Sequence, residues 1–137
     1  RGVGLYRAQN YGIGFEEYKQ KLINKDIVII AQIEHIDAVN NLEDILSVED
    51  INGYIIGPYD LSGSMGYPGD YDRDDVKDAL NRVKEACKQH NKSLGFHVIP
   101  SKAEALQEKI DEGYNFLAFS LDFFFLGDRL REESAKI

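Results

Sequence analysis

Two acidic residues, each following an apolar strand-like run, are the features of this sequence best suited to chemistry. Glu34 closes the run IVIIAQIE, and Asp60 lies just beyond the run YIIG in YIIGPYD. One β-α unit separates them, so neighbouring parallel strands would bring their ends to about 4.8 Å from each other. The carboxyl ends of such strands form the rim where α/β proteins bind ligands. The pair therefore predicts a site for a hard divalent cation such as Mg²⁺.

Taken singly, these acidic residues have simpler explanations. Glu34 alone is consistent with a solvated side chain past a strand end, and Asp60 with a turn or a helix cap before LSGS. Gln32 strengthens the case for a site, because residues two apart on a strand point to the same face. Facing only a core would be costly for two polar side chains, which favours a ligand or water on that face.

The segment GPYD, residues 57–60, adds a second possible binding element. Pro58 has no amide hydrogen and fixes the chain direction, so the amides of Tyr59 and Asp60 can turn towards the rim. Amides beside a cation suit a carboxylate ligand, whereas a plain turn without a ligand is the alternative. Among the histidines, His97 lies inside a strand-like run, where a hydrogen-bonded core position is expected and a position facing the site is the alternative.

Composition narrows the class of protein. The 137 residues suffice for one domain with a core, and a net charge of −8 argues against nucleic acid or an anionic membrane as a partner. No apolar stretch is long enough to span a membrane. The single cysteine, Cys87, excludes an intramolecular disulfide, is expected to be buried on a helix, and fits a cytoplasmic location.

Periodicity predicts alternating strands and helices after a loop-like opening that suggests a fragment of a longer protein. Strands are predicted at 27–34, 51–56, 93–99 and 115–121, helices at 15–24, 37–48 (capped by Asp37), 74–90 and 102–112, a loop at 61–72, and a tail that is helical in its later part. This order predicts an α/β fold with a parallel sheet, either a small doubly wound sheet or half of an eight-stranded barrel. No glycine-rich phosphate motif opens the first helix.

Several motifs resemble those of the HpcH/HpaI aldolase family of divalent-metal-dependent 2-oxoacid aldolases. The motifs are QIEH, NLEDIL, INGYIIGPYDLSGSMGYPG and the opening RGVG with its following R and YG, and the resemblance is strongest over residues 27–70. It implies a single partial domain, residues 1–137, forming the carboxyl-terminal half of a (β/α)8 TIM barrel. It also implies Glu34 and Asp60 as ligands of Mg²⁺ or Mn²⁺, Gln32 against the oxoacid as a catalytic residue, and the amides around Tyr59 and Asp60 on its carboxylate.

The resemblance further implies a lyase that cleaves or forms 4-hydroxy-2-oxoacids through a pyruvate enolate. Its partners would be a small 2-oxoacid, an aldehyde and further copies of itself, since the final helix in this family often packs on a neighbouring subunit. The alternatives are a citrate-lyase-like or mutase-like enzyme of the phosphoenolpyruvate/pyruvate superfamily, and a non-catalytic binding half-barrel. The family's proton-transfer histidine and enolate-stabilising arginine would lie upstream of Arg1. In a half-barrel, apolar side chains at or near Ile29, Ile55 and Phe119 are expected on the uncovered inner face.

Overall fold

Four parallel strands and the helices between them form the framework of the protein in a computed structural model. The structure describes residues 5–23 and 27–137, so the RGVG opening and the predicted last residue of the first helix, residue 24, lie outside the described residues. A 3-10 helix spans Arg7–Gly12, within the segment predicted as a loop. The α-helices are α1 Phe15–Ile23, α2 Ile36–Asn40, α3 Leu42–Leu46, α4 Pro58–Ser64, α5 Asp74–Gln89, α6 Ala103–Asp111 and α7 Asp122–Ser134, and the strands are β1 Ile30–Ile33, β2 Gly53–Ile56, β3 Ser93–Val98 and β4 Phe116–Phe119.

The sheet has the order β1-β2-β3-β4, and every neighbouring pair is parallel. The prediction of four parallel strands separated by helices is therefore confirmed, although each strand is shorter than its apolar run. Each strand pairs with the next strand in the sequence, and helical segments join them. This is the connectivity of a (β/α) unit repeated along the chain. Among the described residues, no helix is both long and apolar enough to cross a membrane.

One face of the sheet carries the hydrophobic core. Ile33, Tyr54, Ile56 and Leu94 are buried on this face and pack with the buried stripe of α5. Cys87 belongs to that stripe and is fully buried, as predicted, and burial raises the pKa of its thiol to about 11. The core therefore lies between the sheet and its helices, which leaves the other face open.

The open face carries the side chains that alternate with the core residues. Gln32, Ile55, His97 and Ala118 border a common cavity there. The expectation for Ile55 is therefore confirmed, and in β4 the open face carries Ala118, the neighbour of Phe119, and not Phe119 itself. Phe119 is one residue out of phase with Ala118, and its ring packs edge-on against Phe125 of α7, with 5.2 Å between ring centroids. Ile29 is exposed and precedes β1.

Two local predictions on the amino-terminal side of the site are wrong. The helix predicted at 37–48 is two short helices that meet at Asn41, and its start is capped by His35, not by Asp37. The Nδ1 atom of His35 accepts a hydrogen bond of 3.1 Å from the Asp37 amide. Asp37 instead lies in the first turn of α2, where its negative charge favours the positive end of the helix dipole.

Candidate metal and oxoacid site

Residues at the carboxyl end of β1 form the first half of the site. Gln32 is in β1 and Glu34 directly follows it, and the Gln32 Nε2 atom donates a hydrogen bond of 2.8 Å to Glu34 Oε2. Both side chains therefore lie on the open face, as their spacing predicts. The bond fixes the orientation of the amide and of one carboxylate oxygen relative to each other.

Gly57 provides the space in which these two side chains lie. A Cβ atom at Gly57 would be 2.7 Å from Gln32 Nε2 and 3.2 Å from Glu34 Cβ. Gly57 continues the pairing of β2 with β1, because its amide donates to the Ile33 carbonyl oxygen at 3.0 Å. The absence of a side chain at this residue is thus what allows Gln32 and Glu34 to lie against the end of β2.

Asp60 lies in a helix that the sequence analysis predicted in part as loop. The segment Pro58–Ser64 forms α4, with Pro58 at its start and Asp60 in its first turn. Ser62 and Ser64 donate hydroxyl hydrogen bonds to the carbonyl oxygens of Tyr59 and Leu61, at 2.9 and 2.7 Å. These serines satisfy their own hydroxyls within the helix, so residues that usually favour turns are accommodated here.

The same serines tie α4 to its surroundings. Ser64 Oγ accepts a hydrogen bond of 2.9 Å from the Ile36 amide, which joins α4 to the chain two residues after Glu34. Ser62 is fully buried, and its Oγ accepts a hydrogen bond of 3.0 Å from the Gly69 amide. The backbone segments that carry Glu34 and Asp60 are therefore joined to each other by a hydrogen bond.

A cavity of about 220 Å³ collects most of the predicted site residues. Its lining includes Gln32, Tyr59 and Asp60, while Glu34 borders the site through its contacts with Gln32 and Gly57. The structure therefore places all four predicted residues at or beside one cavity. Among the described residues, no group of three or more histidine, cysteine, aspartate or glutamate side chains is arranged to hold a metal ion. The candidate metal ligands are thus the carboxylates of Glu34 and Asp60, and the side-chain amide of Gln32 lies beside Glu34.

The chemistry of this donor set fits Mg²⁺ or Mn²⁺. Carboxylate oxygens suit hard cations, and Mg²⁺ is usually held by one or two protein carboxylates while it keeps several waters. The amides of Tyr59 and Asp60 are in the first turn of α4, where backbone donors have no acceptor within the helix. Those amides are thus available to an anionic group in the cavity.

Two cavity residues were missed or underestimated by the sequence analysis. Tyr71 lines the cavity, and burial raises the pKa of its phenol, with the charges of Tyr59 and Asp60 adding to the rise. Nothing in the spacing of Tyr71, in a loop after α4, indicates this position. His97 also lines the cavity, so the alternative of a histidine facing the site is the correct one.

Comparison with known proteins shows the family of the chain. Residues 3–127 match the family model described as HpcH/HpaI aldolase/citrate lyase. The chain belongs to this family. It is 33% identical over 136 residues to a 2-keto-3-deoxy-L-rhamnonate aldolase of Escherichia coli O6:K15:H31, a match that covers 98% of this chain and 50% of that protein. The chain thus spans about half the length of the curated relatives it matches.

Solved structures of the HpcH/HpaI family share the fold. A family protein from Burkholderia cenocepacia J2315 matches with a TM-score of 0.81 and 28% identity, over 99% of this chain and 52% of that chain. An HpcH/HpaI aldolase from Desulfitobacterium hafniense DCB-2 matches with a TM-score of 0.74 and 26% identity, over 99% and 52% of the two chains. The parallel α/β fold is confirmed, and the coverage is consistent with half of a barrel.

Proposed function

We propose that the complete protein is a metal-dependent lyase that cleaves or forms 4-hydroxy-2-oxoacids through a pyruvate enolate. The observation that carries the proposal is the packing of Gln32 and Glu34 against Gly57, beside the cavity that Asp60 lines. Membership of the HpcH/HpaI aldolase/citrate lyase family supports a lyase. The 33% identical relative is named for a 2-keto-3-deoxy acid, which supports a 2-oxoacid as the substrate.

In this proposal, Glu34 and Asp60 hold Mg²⁺ or Mn²⁺. When bound, the ion supplies Lewis-acid stabilisation of negative charge on the keto oxygen while the carbon–carbon bond breaks. Gln32 uses one amide hydrogen to orient Glu34, which leaves its carbonyl oxygen and its second amide hydrogen for the oxoacid. The first amides of α4, at Tyr59 and Asp60, bind the carboxylate of the oxoacid.

Two other functions are distinguished by specific measurements. A citrate-lyase-like or mutase-like enzyme would bind the metal but act on a different carbon skeleton, and the description of the matching family model includes citrate lyases. A non-catalytic binding half-barrel would show no metal-dependent turnover of any of these acids. Titration with Mg²⁺ and Mn²⁺, followed by assays with 4-hydroxy-2-oxoacids and with citrate-type substrates, separates the three.

Substitution of the two carboxylates tests the metal site directly. In the complete protein, Glu34→Gln and Asp60→Asn should each weaken Mg²⁺ binding and lower metal-dependent aldol cleavage by at least about a hundredfold, because each removes a charged oxygen ligand. Isothermal titration and a coupled pyruvate assay measure the two effects. Asp78→Asn on the exposed side of α5 makes the same charge change away from the site and should leave both unchanged. Full activity in either site variant would show that the pair is not the metal site.

A further inference from the structure

An asparagine followed by a glycine stands at the amino end of β2. Asn52 and Gly53 form the only Asn-Gly pair in the sequence. Asn52 is exposed and directly precedes the strand, whereas Gly53 is buried as its first residue. Asparagine is a labile residue, and a following glycine has no Cβ atom to shield its backbone nitrogen from the asparagine side chain. The surroundings of this pair therefore decide its chemical stability.

Packing requires the glycine of this pair. A Cβ atom at Gly53 would be 2.9 Å from Ser93 Cβ and 3.1 Å from Ile30 Cδ1, so neighbours on both sides would have to move. Gly53 is also paired in register with these two residues, in β3 and β1. Closely packed neighbours in a sheet resist such a shift. The fold therefore keeps a glycine directly after Asn52.

The side chain of Asn52 is bound through its oxygen atom. Oδ1 accepts a hydrogen bond of 2.7 Å from the Ile29 amide, and the Asn52 amide donates one of 2.9 Å to the Ile29 carbonyl oxygen. Within the described part of the chain, the Nδ2 atom of Asn52 has no hydrogen-bond partner. Negative charge that develops on Oδ1 would thus be stabilised by an N–H donor, while no bond to the protein holds the nitrogen that would leave.

We propose that Asn52 is a modification site at which the folded protein loses ammonia and forms a succinimide with Gly53. The Gly53 nitrogen gives its proton to hydroxide and bonds to Asn52 Cγ. The Cγ–Nδ2 bond then breaks, and water protonates the departing nitrogen, which releases ammonia and regenerates hydroxide. Hydrolysis of the ring at Cγ gives aspartate, and hydrolysis at the main-chain carbonyl carbon gives isoaspartate. This chemistry goes beyond the proposed function and does not depend on it.

The two products differ in their effect on the sheet. Aspartate keeps an oxygen that accepts from the Ile29 amide. Isoaspartate adds one carbon atom to the main chain, between the amide that bonds Ile29 and the first residue of β2. Because β2 is paired on both sides, it cannot take up this atom without disturbing its register with β1 or β3. Isoaspartate should therefore destabilise the fold, and aspartate should not.

Asn115 provides an internal control in the same sheet. Its Oδ1 accepts a hydrogen bond of 3.0 Å from the Leu94 amide, and its own amide donates to the Leu94 carbonyl oxygen at 3.0 Å. Asn115 is also exposed and directly precedes a strand, β4, but the next residue is Phe116. The two asparagines thus share the same pair of bonds to a neighbouring segment and differ in the residue that supplies the attacking nitrogen.

The experiment incubates the complete, folded protein at mildly alkaline pH. Peptide mapping by mass spectrometry measures the conversion of each asparagine, and protein L-isoaspartyl methyltransferase with labelled S-adenosylmethionine measures isoaspartate. Asn52 should be converted at least about tenfold faster than Asn115, because only its neighbour leaves the backbone nitrogen unshielded. Equal conversion of the two residues, or no conversion of Asn52, would overturn the proposal.

Thermal denaturation tests the consequence for the sheet. The melting temperature of the incubated protein should fall as its isoaspartate content rises, whereas Asn52→Asp, which carries the other product from the start, should melt like the fresh protein. An unchanged melting temperature in protein rich in isoaspartate at residue 52 would overturn the predicted effect on the sheet. The comparison of Asn52 with Asn115 uses the unmodified sequence, so it decides the modification itself even if the variant does not fold.

Discussion

At the scale of single residues, the site depends most sharply on Gly57. In the complete protein, Gly57→Ala should lower Mg²⁺ affinity and kcat/KM by about tenfold or more, because the added methyl group would overlap Gln32 Nε2 and crowd Glu34. Overall stability should change much less, since these polar side chains can move outwards on the open face. Metal titration and thermal denaturation of the same variant measure the two effects.

Gly63 offers a matched control for this substitution. It lies in α4, and a Cβ atom there would meet only Pro68 Cβ, at 3.8 Å. Gly63→Ala should therefore retain metal affinity and activity, with unchanged or slightly higher stability because alanine favours the helix. Equal effects of the two substitutions would show that the space above Gly57 does not matter to the site.

At the scale of elements, α4 and the start of α2 should depend on each other. Ser64→Ala removes the acceptor of the Ile36 amide and should lower the free energy of unfolding by about 1 kcal/mol. Urea denaturation measures the loss. Ser47 is the control, because its hydroxyl also bonds a carbonyl oxygen three residues earlier but caps no other helix, so Ser47→Ala should have less than about half the effect. Equal losses would mean that the bond between α4 and α2 adds no stability.

How far the sequence predicts these elements depends on the range of the interactions that form them. The strands follow from apolar runs, and α5 from a stripe that includes Val76 and Val83, because both patterns are local. The helix around Asp60 was missed, because hydroxyl bonds of Ser62 and Ser64 stabilise residues that locally favour a turn.

The candidate site shows the same division. Glu34 and Asp60 are predictable because they follow strands, and Gln32 because it is two residues before Glu34, on the same face of β1. The carboxylates and Gln32 also occur in recognisable motifs, which is why their region could be found at all. Tyr71 reaches the cavity from a loop, and the orientation of His97 depends on Ser120, which directly follows the next strand. Such contacts between distant segments carry no periodic signal.

At the scale of the whole molecule, an open sheet leads to a prediction about association. Both edge strands, β1 and β4, pair on one side only within the described sheet, and Ile55 is on the open face. Unpaired edges and uncovered apolar surface favour association with other chains. The 137-residue chain alone should therefore elute as an oligomer in size-exclusion chromatography with light scattering, and should lack aldolase activity.

A partner fragment provides the complementary test of the prediction that residues 1–137 form a single partial domain. Mixing the chain with an amino-terminal half from the same protein should restore metal-dependent cleavage of a 4-hydroxy-2-oxoacid, because that half would supply the proton-transfer histidine and the enolate-stabilising arginine. An amino-terminal half from an unrelated (β/α)8 barrel is the control. If the 137-residue chain were a monomer with full turnover by itself, the half-barrel interpretation would be refuted. That the complete protein forms a homo-oligomer stays a prediction.

The two faces of the sheet also differ in what an amino-acid substitution would affect, because one face carries the core and the other lines the cavity. Alternation along each strand assigns Ile56 and Leu94 to the packed face, and Ile55 and His97 to the open one. Replacing a residue of the second set alters what the cavity accepts without leaving a void in the first. New substrate preferences can thus arise by single substitutions while the folded state is retained. Families built on such sheets are able to diversify in chemistry faster than in architecture.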